Sequence, residues 1–283
     1  MTSPARTVPH PLTWLYAPGD RPRVVAKAMA SGADVVIVDL EDAVAPDRKD
    51  YARAATADLL SDPEHPVPVH VRVNALGTPP AAKDLQALAA LPGLAGLRLP
   101  KVISAEQIIH LAQTTPPTDP GAPPLHALLE SALGIERAYA IASAHPSLHG
   151  ISLGEADLRA DLGVRGDAGL DWPRSRVIVA ARAAGLPPPA QSIHPDIRDL
   201  EGLAASCDHG RTLGFLGRAA IHPRQLPVIE RAYLPTEAEL EHAETIIKAA
   251  VTEQGAQALK DGTFIDAAVV AAARRTLSLA RRP

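Results

Sequence analysis

Glu130 and Asp157 are the residues whose types and spacing point most directly to chemistry. Both lie in LHALLESALGIERAYAIASAHPSLHGISLGEADLRADLG, residues 125–163. An apolar run ends in Glu130, a helical segment crosses back, and a second short apolar run ends in Gly154 and Asp157. Apolar runs of about four to eight residues alternating with helical patterns of about ten to fifteen indicate βαβ units on a parallel sheet. Right-handed crossovers set the carboxyl ends of successive strands side by side, so the two carboxylates are expected to be neighbours. Carboxylates that close repel unless a proton or a cation lies between them. A hard divalent cation with oxygen ligands meets that need, and Mg²⁺ is the economical choice.

Other polar residues follow apolar runs in the same way: Asp20 and Arg21, Glu41 and Asp42, Arg72 and Asn74, Lys101, then His194, Asp196 and His222. Taken singly, such a residue is an ordinary helix N-cap or loop group, and Asp20 reads as the cap of the helix that Pro22 opens. Taken together, acids and bases alternating around one mouth are more than a soluble fold requires. Arg72 sits in a largely apolar strand, where its fork suits either a substrate carboxylate or a salt bridge to Glu41 or Asp42. Gly19 and Gly154 read first as turn residues. Cys207 reads as core, and His194 and His222 as rim residues without paired metal-ligand spacing. No GxSxG, Walker or dinucleotide fingerprint is present.

The elements that must position these groups are eight apolar runs, at residues 12–17, 35–40, 67–73, 96–99, 190–194 and 219–222 together with the two that end in Glu130 and in Gly154, most followed by a helical pattern. That is the count of an α/β fold of the (β/α)₈ TIM-barrel class, whose active sites lie at the carboxyl ends of the strands. Residues 1–233 are expected to form the barrel and 234–283 a C-terminal helical extension. Residues 1–11 read as a loose lead-in, the proline-rich stretch 115–124 as a surface loop, and Gly255 and Gly262 as the ends of a flexible link. The net charge of −4, with no basic stripe carrying aromatics, argues against nucleic acid. No apolar run reaches the ~18 residues of a membrane span. One cysteine and no leader before Pro11 suggest a reducing cytoplasm.

LYAPGDRP, DVVIVDLEDAVAPDRKDYAR, VRVN, RLPKV, LLESALGI, GISLGEADLRADLG, AARAAGLP, DLEGL, LGFLGRAAIHPRQL and GTFIDAAVV resemble, in this order, the citrate lyase β-subunit-like family of acyl-CoA lyases. The resemblance spans about residues 12–280. It implies a homotrimeric or hexameric, Mg²⁺-dependent (β/α)₈ barrel that breaks or forms a C–C bond in a 3-hydroxyacyl thioester such as citryl-, malyl- or citramalyl-CoA. The products are an acetyl thioester, on CoA or an acyl carrier, and a 2-keto acid: oxaloacetate, glyoxylate or pyruvate. By resemblance, Glu130 and Asp157 match the metal ligands and Arg72 the carboxylate clamp. Asp266, in GTFIDAAVV, matches an acid that the closing tail contributes to a neighbouring subunit. Gly19, Arg21, Lys101 and Gly154 are expected near substrate.

The implied retro-Claisen cleavage needs a cation to fix the α-oxygenated carboxylate, a base for the hydroxyl proton and an acid for the thioester enolate. The base is expected to be Glu41 or Asp42, and the acid Asp266. Three other readings stand beside it: a malyl-CoA thioesterase, a citrate lyase β subunit that acts only on a carrier-bound acyl group, and a CoA-independent pyruvate-type aldolase. The last is disfavoured because Asp42, where those relatives tend to place His, follows Glu41.

Overall fold

The structure is a computed structural model that describes residues 11–114, 122–252, 257–258 and 264–280. The lead-in 1–10, the proline-rich residues 115–121, and Gly255 and Gly262 lie outside them. The chain divides into two compact units, Met1–Ala232 and Tyr233–Pro283. Among the described residues, no helix is long and apolar enough to cross a membrane.

The first unit is organised on seven parallel strands: β1 (Thr13–Pro18), β2 (Val35–Asp39), β3 (Val69–Arg72), β4 (Leu94–Leu99), β5 (Leu125–Leu129), β6 (Leu148–Leu153) and β7 (Arg218–Ala220). Their order is β6-β5-β4-β3-β2-β1-β7. The intervening helices are α1 (Pro22–Met29), α2 (Lys49–Leu60), α3 (Pro79–Leu88), α4 (Ala105–Thr114), α5 (Ala132–Glu136), α6 (Ala138–Ala142), α7 (Glu155–Leu162), α8 (Asp171–Ala183), α9 (Leu200–Leu213) and α10 (Leu226–Tyr233). β2 is buried at every position, as expected for a parallel strand covered on both faces. Side chains from all seven strands line one cavity, so the sheet curls around an interior.

The run 190–194, expected as the seventh of eight strands, contributes a single bridge, Gln191 to Arg218. Pro187, Pro188 and Pro189 precede it and Pro195 follows it, removing the donors a longer ladder would need. On its other side, the Glu155 amide donates to Ser192 Oγ at 3.3 Å. The N-cap of α1 is Arg21 rather than Asp20; Pro22 opens the helix one residue later than a cap at Asp20 allows. Asp20 instead faces Arg48 at 3.7 Å.

Register sorts the interior into rows, because paired residues of a parallel sheet share a face. One row runs Pro18, Asp39, Arg72, Arg98, His126, Gly150 across six strands. A row below runs Tyr16, Ile37, His70, Gly96. A β-carbon on Gly96 would lie 2.9 Å from the His70 ring, and one on Gly150 3.0 Å from His126 Nδ1. Each glycine thus makes room for the histidine of the preceding strand, where a barrel interior is ordinarily filled by branched aliphatic side chains.

In the second unit, α11 (Glu237–Thr252) and α12 (Ala267–Ala280) pack around Ala243, Ile246, Ile265 and Ala273, beside an antiparallel pair, β8 (Gln257–Ala258) and β9 (Phe264–Ile265).

Candidate active site

A cavity of about 360 Å³ opens where the strands end, lined among others by Asp39, Asp42, Arg72, Glu130, Gly154 and Asp157. Glu130 follows β5 directly and is buried. Asp157 lies in the first turn of α7, after Gly154 as N-cap, where the helix dipole favours an anion. A β-carbon on Gly154 would meet Glu130 Cγ at 2.4 Å, so glycine here lets the Glu130 carboxylate lie against the β6–α7 turn. α7 is held by Arg174, only 2% exposed, whose Nε and Nη2 donate to Glu155 at 2.9 and 2.8 Å and whose Nη1 donates to Asp167 at 2.7 Å.

Glu130 and Asp157 meet, as the βαβ crossover requires. Burial, then the hydrogen bond to Asp157 and the charge of Glu41, push the Glu130 carboxyl up to about 8. The same hydrogen bond, with Lys101 beyond it, holds Asp157 below the ordinary carboxylate range. Glu130 Oε1 is buried with no donor when both groups are ionised. The pair therefore calls for one shared proton or one cation.

Lys101 Nζ supplies a positive charge at the edge of this pair. It lies 2.5 Å from Glu41 Oε1, 3.4 Å from Asp157, 3.7 Å from Asp42 and 4.0 Å from Glu130. Burial opposes its charge, but Glu41, Asp42 and Glu130 outweigh that and raise its pKa. Its φ of 55° is the one left-handed non-glycine backbone among the described residues, strain of the kind that collects at functional sites. Glu41 is buried, which raises its pKa despite Lys101 and Arg72. Lys49 Nζ fixes the turn that carries it, donating to the Leu40 and Glu41 carbonyls at 2.7 and 2.6 Å.

Arg72 is committed to a partner that sequence reasoning passed over. Its Nε and Nη2 donate to the two oxygens of Asp39 at 2.8 and 2.6 Å, a bidentate pair. Nη1 donates to the exposed Asp42 at 3.5 Å and lies 3.2 Å from Glu41 Oε2 without hydrogen-bond geometry. Asp39 also accepts the Glu41 and Ala43 amides at 2.9 and 3.1 Å, so it orients the whole β2 turn. The available signal was its position as the single acid in an otherwise apolar strand.

The remaining candidates divide. Gly19 donates to the Asp39 carbonyl at 2.9 Å, and a β-carbon there would meet Leu40 at 2.8 Å, so it packs behind the β2 end. Arg21 is exposed at the start of α1. Asn74 is bound to buried Asp84 at 2.6 Å, and His222 Nδ1 accepts the Arg224 amide at 3.1 Å. Asp196 accepts the Arg198 amide at 2.8 Å. Asp266, in the second unit, caps α12 by accepting the Val269 amide at 2.9 Å.

A parallel α/β sheet that gathers paired acids and bases at its carboxyl edge defines a class of small-molecule sites. The HpcH/HpaI aldolase/citrate lyase model matches residues 12–223, and the chain belongs to that family. A citrate lyase subunit beta-like protein of Mycobacterium tuberculosis is 39% identical over 272 residues, 93% of each chain. A (3S)-malyl-CoA thioesterase of Cereibacter sphaeroides is 36% identical, covering 94% of this chain and 93% of its own. The crystal structure of CitE from M. tuberculosis with magnesium, acetoacetate and coenzyme A superposes with a TM-score of 0.80 at 37% identity, over 96% of this chain and 99% of that one. The citrate lyase beta subunit of the same organism with oxaloacetate and magnesium gives 0.67 at 38% identity, over 80% and 98%.

Proposed function

We propose that this chain is a Mg²⁺-dependent carbon–carbon lyase acting on a 3-hydroxyacyl thioester such as citryl-, malyl- or citramalyl-CoA, releasing an acetyl thioester and a 2-keto acid. The observation that carries the reading is the buried Glu130 beside Asp157 in the cavity, one carboxyl pushed up chiefly by burial and the other held down by the hydrogen bond between them. Among the described residues no cluster of three or more His, Cys, Asp and Glu forms a closed metal cage. Two carboxylates with open positions suit Mg²⁺, which keeps waters and substrate oxygens in its shell. Relatives whose structures contain magnesium with keto acids support the same choice. The curled sheet is taken as a (β/α)₈ barrel. Its setting is the cytoplasm, as a homotrimer or hexamer whose closing tail brings Asp266 to a neighbour's site.

Bound between Glu130 and Asp157, the cation would fix the carboxylate and polarise the adjacent oxygen of the substrate. Arg72 Nη1, the guanidinium nitrogen that Asp39 leaves, steadies the acid end of the substrate. Glu41, more basic than an ordinary carboxylate because it is buried, takes the hydroxyl proton. The bond between the carbinol carbon and the thioester α-carbon then breaks, its electron pair passing to the thioester as an enolate. Asp266 protonates that carbon to give the acetyl thioester. Lys101 holds Glu41 in place and is assigned with Arg21 to the thioester side, while Gly19 packs behind the β2 end that carries Glu41.

The thioesterase reading is retained because a malyl-CoA thioesterase is 36% identical across the chain. The full chain, supplied with Mg²⁺, acetyl-CoA and oxaloacetate, glyoxylate or pyruvate in turn, is expected to form a hydroxyacyl-CoA from at least one of them. Thiol release from a hydroxyacyl-CoA without keto acid would favour the thioesterase. Turnover confined to a carrier-bound acyl group would favour a citrate lyase subunit, and no C–C chemistry on either thioester would contradict the proposal. Asp266→Ala is expected to lower kcat by about 10²–10⁴, the usual share of a general acid, with KM little changed. A wild-type rate would remove Asp266 from the mechanism.

A further inference from the structure

Five arginines of the first unit are buried or nearly so, and four are partnered. Arg53 pairs with Asp84 at 2.7 Å, Arg72 with Asp39, Arg174 with Glu155, and Arg218 donates to Gln191 at 3.2 Å and Ser206 at 2.9 Å. Arg98 is the exception. It is 7% exposed, its side chain makes no hydrogen bond or ion pair among the described residues, and its Nε is fully buried without a partner. Burial, reinforced by the Arg72 charge beside it, pulls its pKa below the ordinary arginine range. A guanidinium nonetheless remains a cation at any working pH.

Arg98 lines the floor of the active-site cavity together with Trp14, Tyr16, Leu128 and Ser152. It also lines a second cavity, of about 540 Å³, with His70, His126 and Asp34, whose Oδ2 accepts the Leu12 and Thr13 amides at 2.7 and 3.0 Å. The histidine rings lie 4.8 Å apart, and burial holds both well below the ordinary histidine range, so they stay neutral and add no second cation; an imidazole supplies no anion in either state. The rim carboxylates are spoken for: Asp39 by Arg72, and Glu41 by Lys101 and Arg72. Arg218, whose partners are the neutral Gln191 and Ser206, faces no substrate cavity, whereas Arg98 has only the Trp14 ring, 6.0 Å from its guanidinium, and a cavity from which an anion can reach it.

We infer that Arg98 is a specificity-determining residue that receives a second carboxylate of the substrate, so that the keto acid taken and released is a 2-keto dicarboxylic acid. The inference rests on the proposed lyase reading and narrows it. The rim carboxylates, through their cation, take the keto-acid end, and the remaining carboxylate descends past Leu128 and Ser152 to the guanidinium. A two- or three-carbon monoacid leaves that guanidinium buried and unpaired, which disfavours it.

Calorimetric binding of oxaloacetate and pyruvate to the full chain with Mg²⁺ tests this, in the wild type, Arg98→Met and Arg98→Lys. The wild type is expected to prefer oxaloacetate. Arg98→Met is expected to lose about thirtyfold or more in oxaloacetate affinity, the cost of removing one partner of a buried charge pair, with pyruvate changed less than about threefold. Arg98→Lys is expected to recover part of the preference. Equal wild-type affinities, or a preference intact in a folded Arg98→Met, would overturn the inference while leaving the lyase reading standing. Failure of the wild type to bind either keto acid would overturn both.

Discussion

Arg72 and Arg98 are register partners on neighbouring strands, facing the same interior, yet their surroundings are opposite. At the rim, Arg72 is enclosed by Asp39, Glu41 and Asp42, and each acid there answers a base. One strand over, Arg98 lies beside neutral histidines and the Trp14 and Tyr16 rings, and its side chain forms no ion pair among the described residues. At the rim five carboxylates, Asp39, Glu41, Asp42, Glu130 and Asp157, face two cations, Arg72 and Lys101, while Arg98 has no carboxylate paired with it among the described residues. A cavity with surplus carboxylate at one end and an unpaired guanidinium at the other suits a ligand that brings a cation to the first and an anion to the second.

Removing the two arginines therefore has different consequences. Arg72→Met leaves Asp39 buried without its partner and is expected to destabilise the fold by about 3–5 kcal/mol, measured by denaturant unfolding. Arg98→Met removes an unpaired buried charge and is expected to leave stability unchanged or raise it by about 1–4 kcal/mol in the same assay, the range seen when buried ions are replaced by apolar groups. Comparable losses in the two variants would break the comparison, since they would show that Arg98 already has a counterion in the free protein.

Much of the rim was legible in the sequence because it follows from connectivity. Glu130 and Asp157 end consecutive strand units, and right-handed crossovers bring such ends together whatever the intervening residues are. Arg72 was legible as a buried cation needing an acid, but Asp39 was hidden. In a strand buried on both faces there is no polar alternation to show which way a side chain points. Arg98, His70 and His126 were hidden in a similar way, as polar residues within largely apolar runs, and only the register lines them up. The run 190–194 looked like a strand by composition, yet the prolines on either side limit it to one bridge. Arg174 was out of reach because the sheet-to-helix distance that joins it to Glu155 leaves no trace in local spacing.

The central claim is that Glu130 and Asp157 hold a divalent cation, and Mg²⁺ titration by calorimetry tests it most directly. Because the pair carries a proton up to about pH 8, binding below that pH must expel it. Affinity is expected to rise about tenfold per pH unit up to roughly 8 and then level off, with about one proton released per ion at neutral pH. Glu130→Ala and Asp157→Ala are each expected to lose that binding and its pH dependence. Unchanged Mg²⁺ affinity in both variants, or binding without proton release below pH 8, would contradict it.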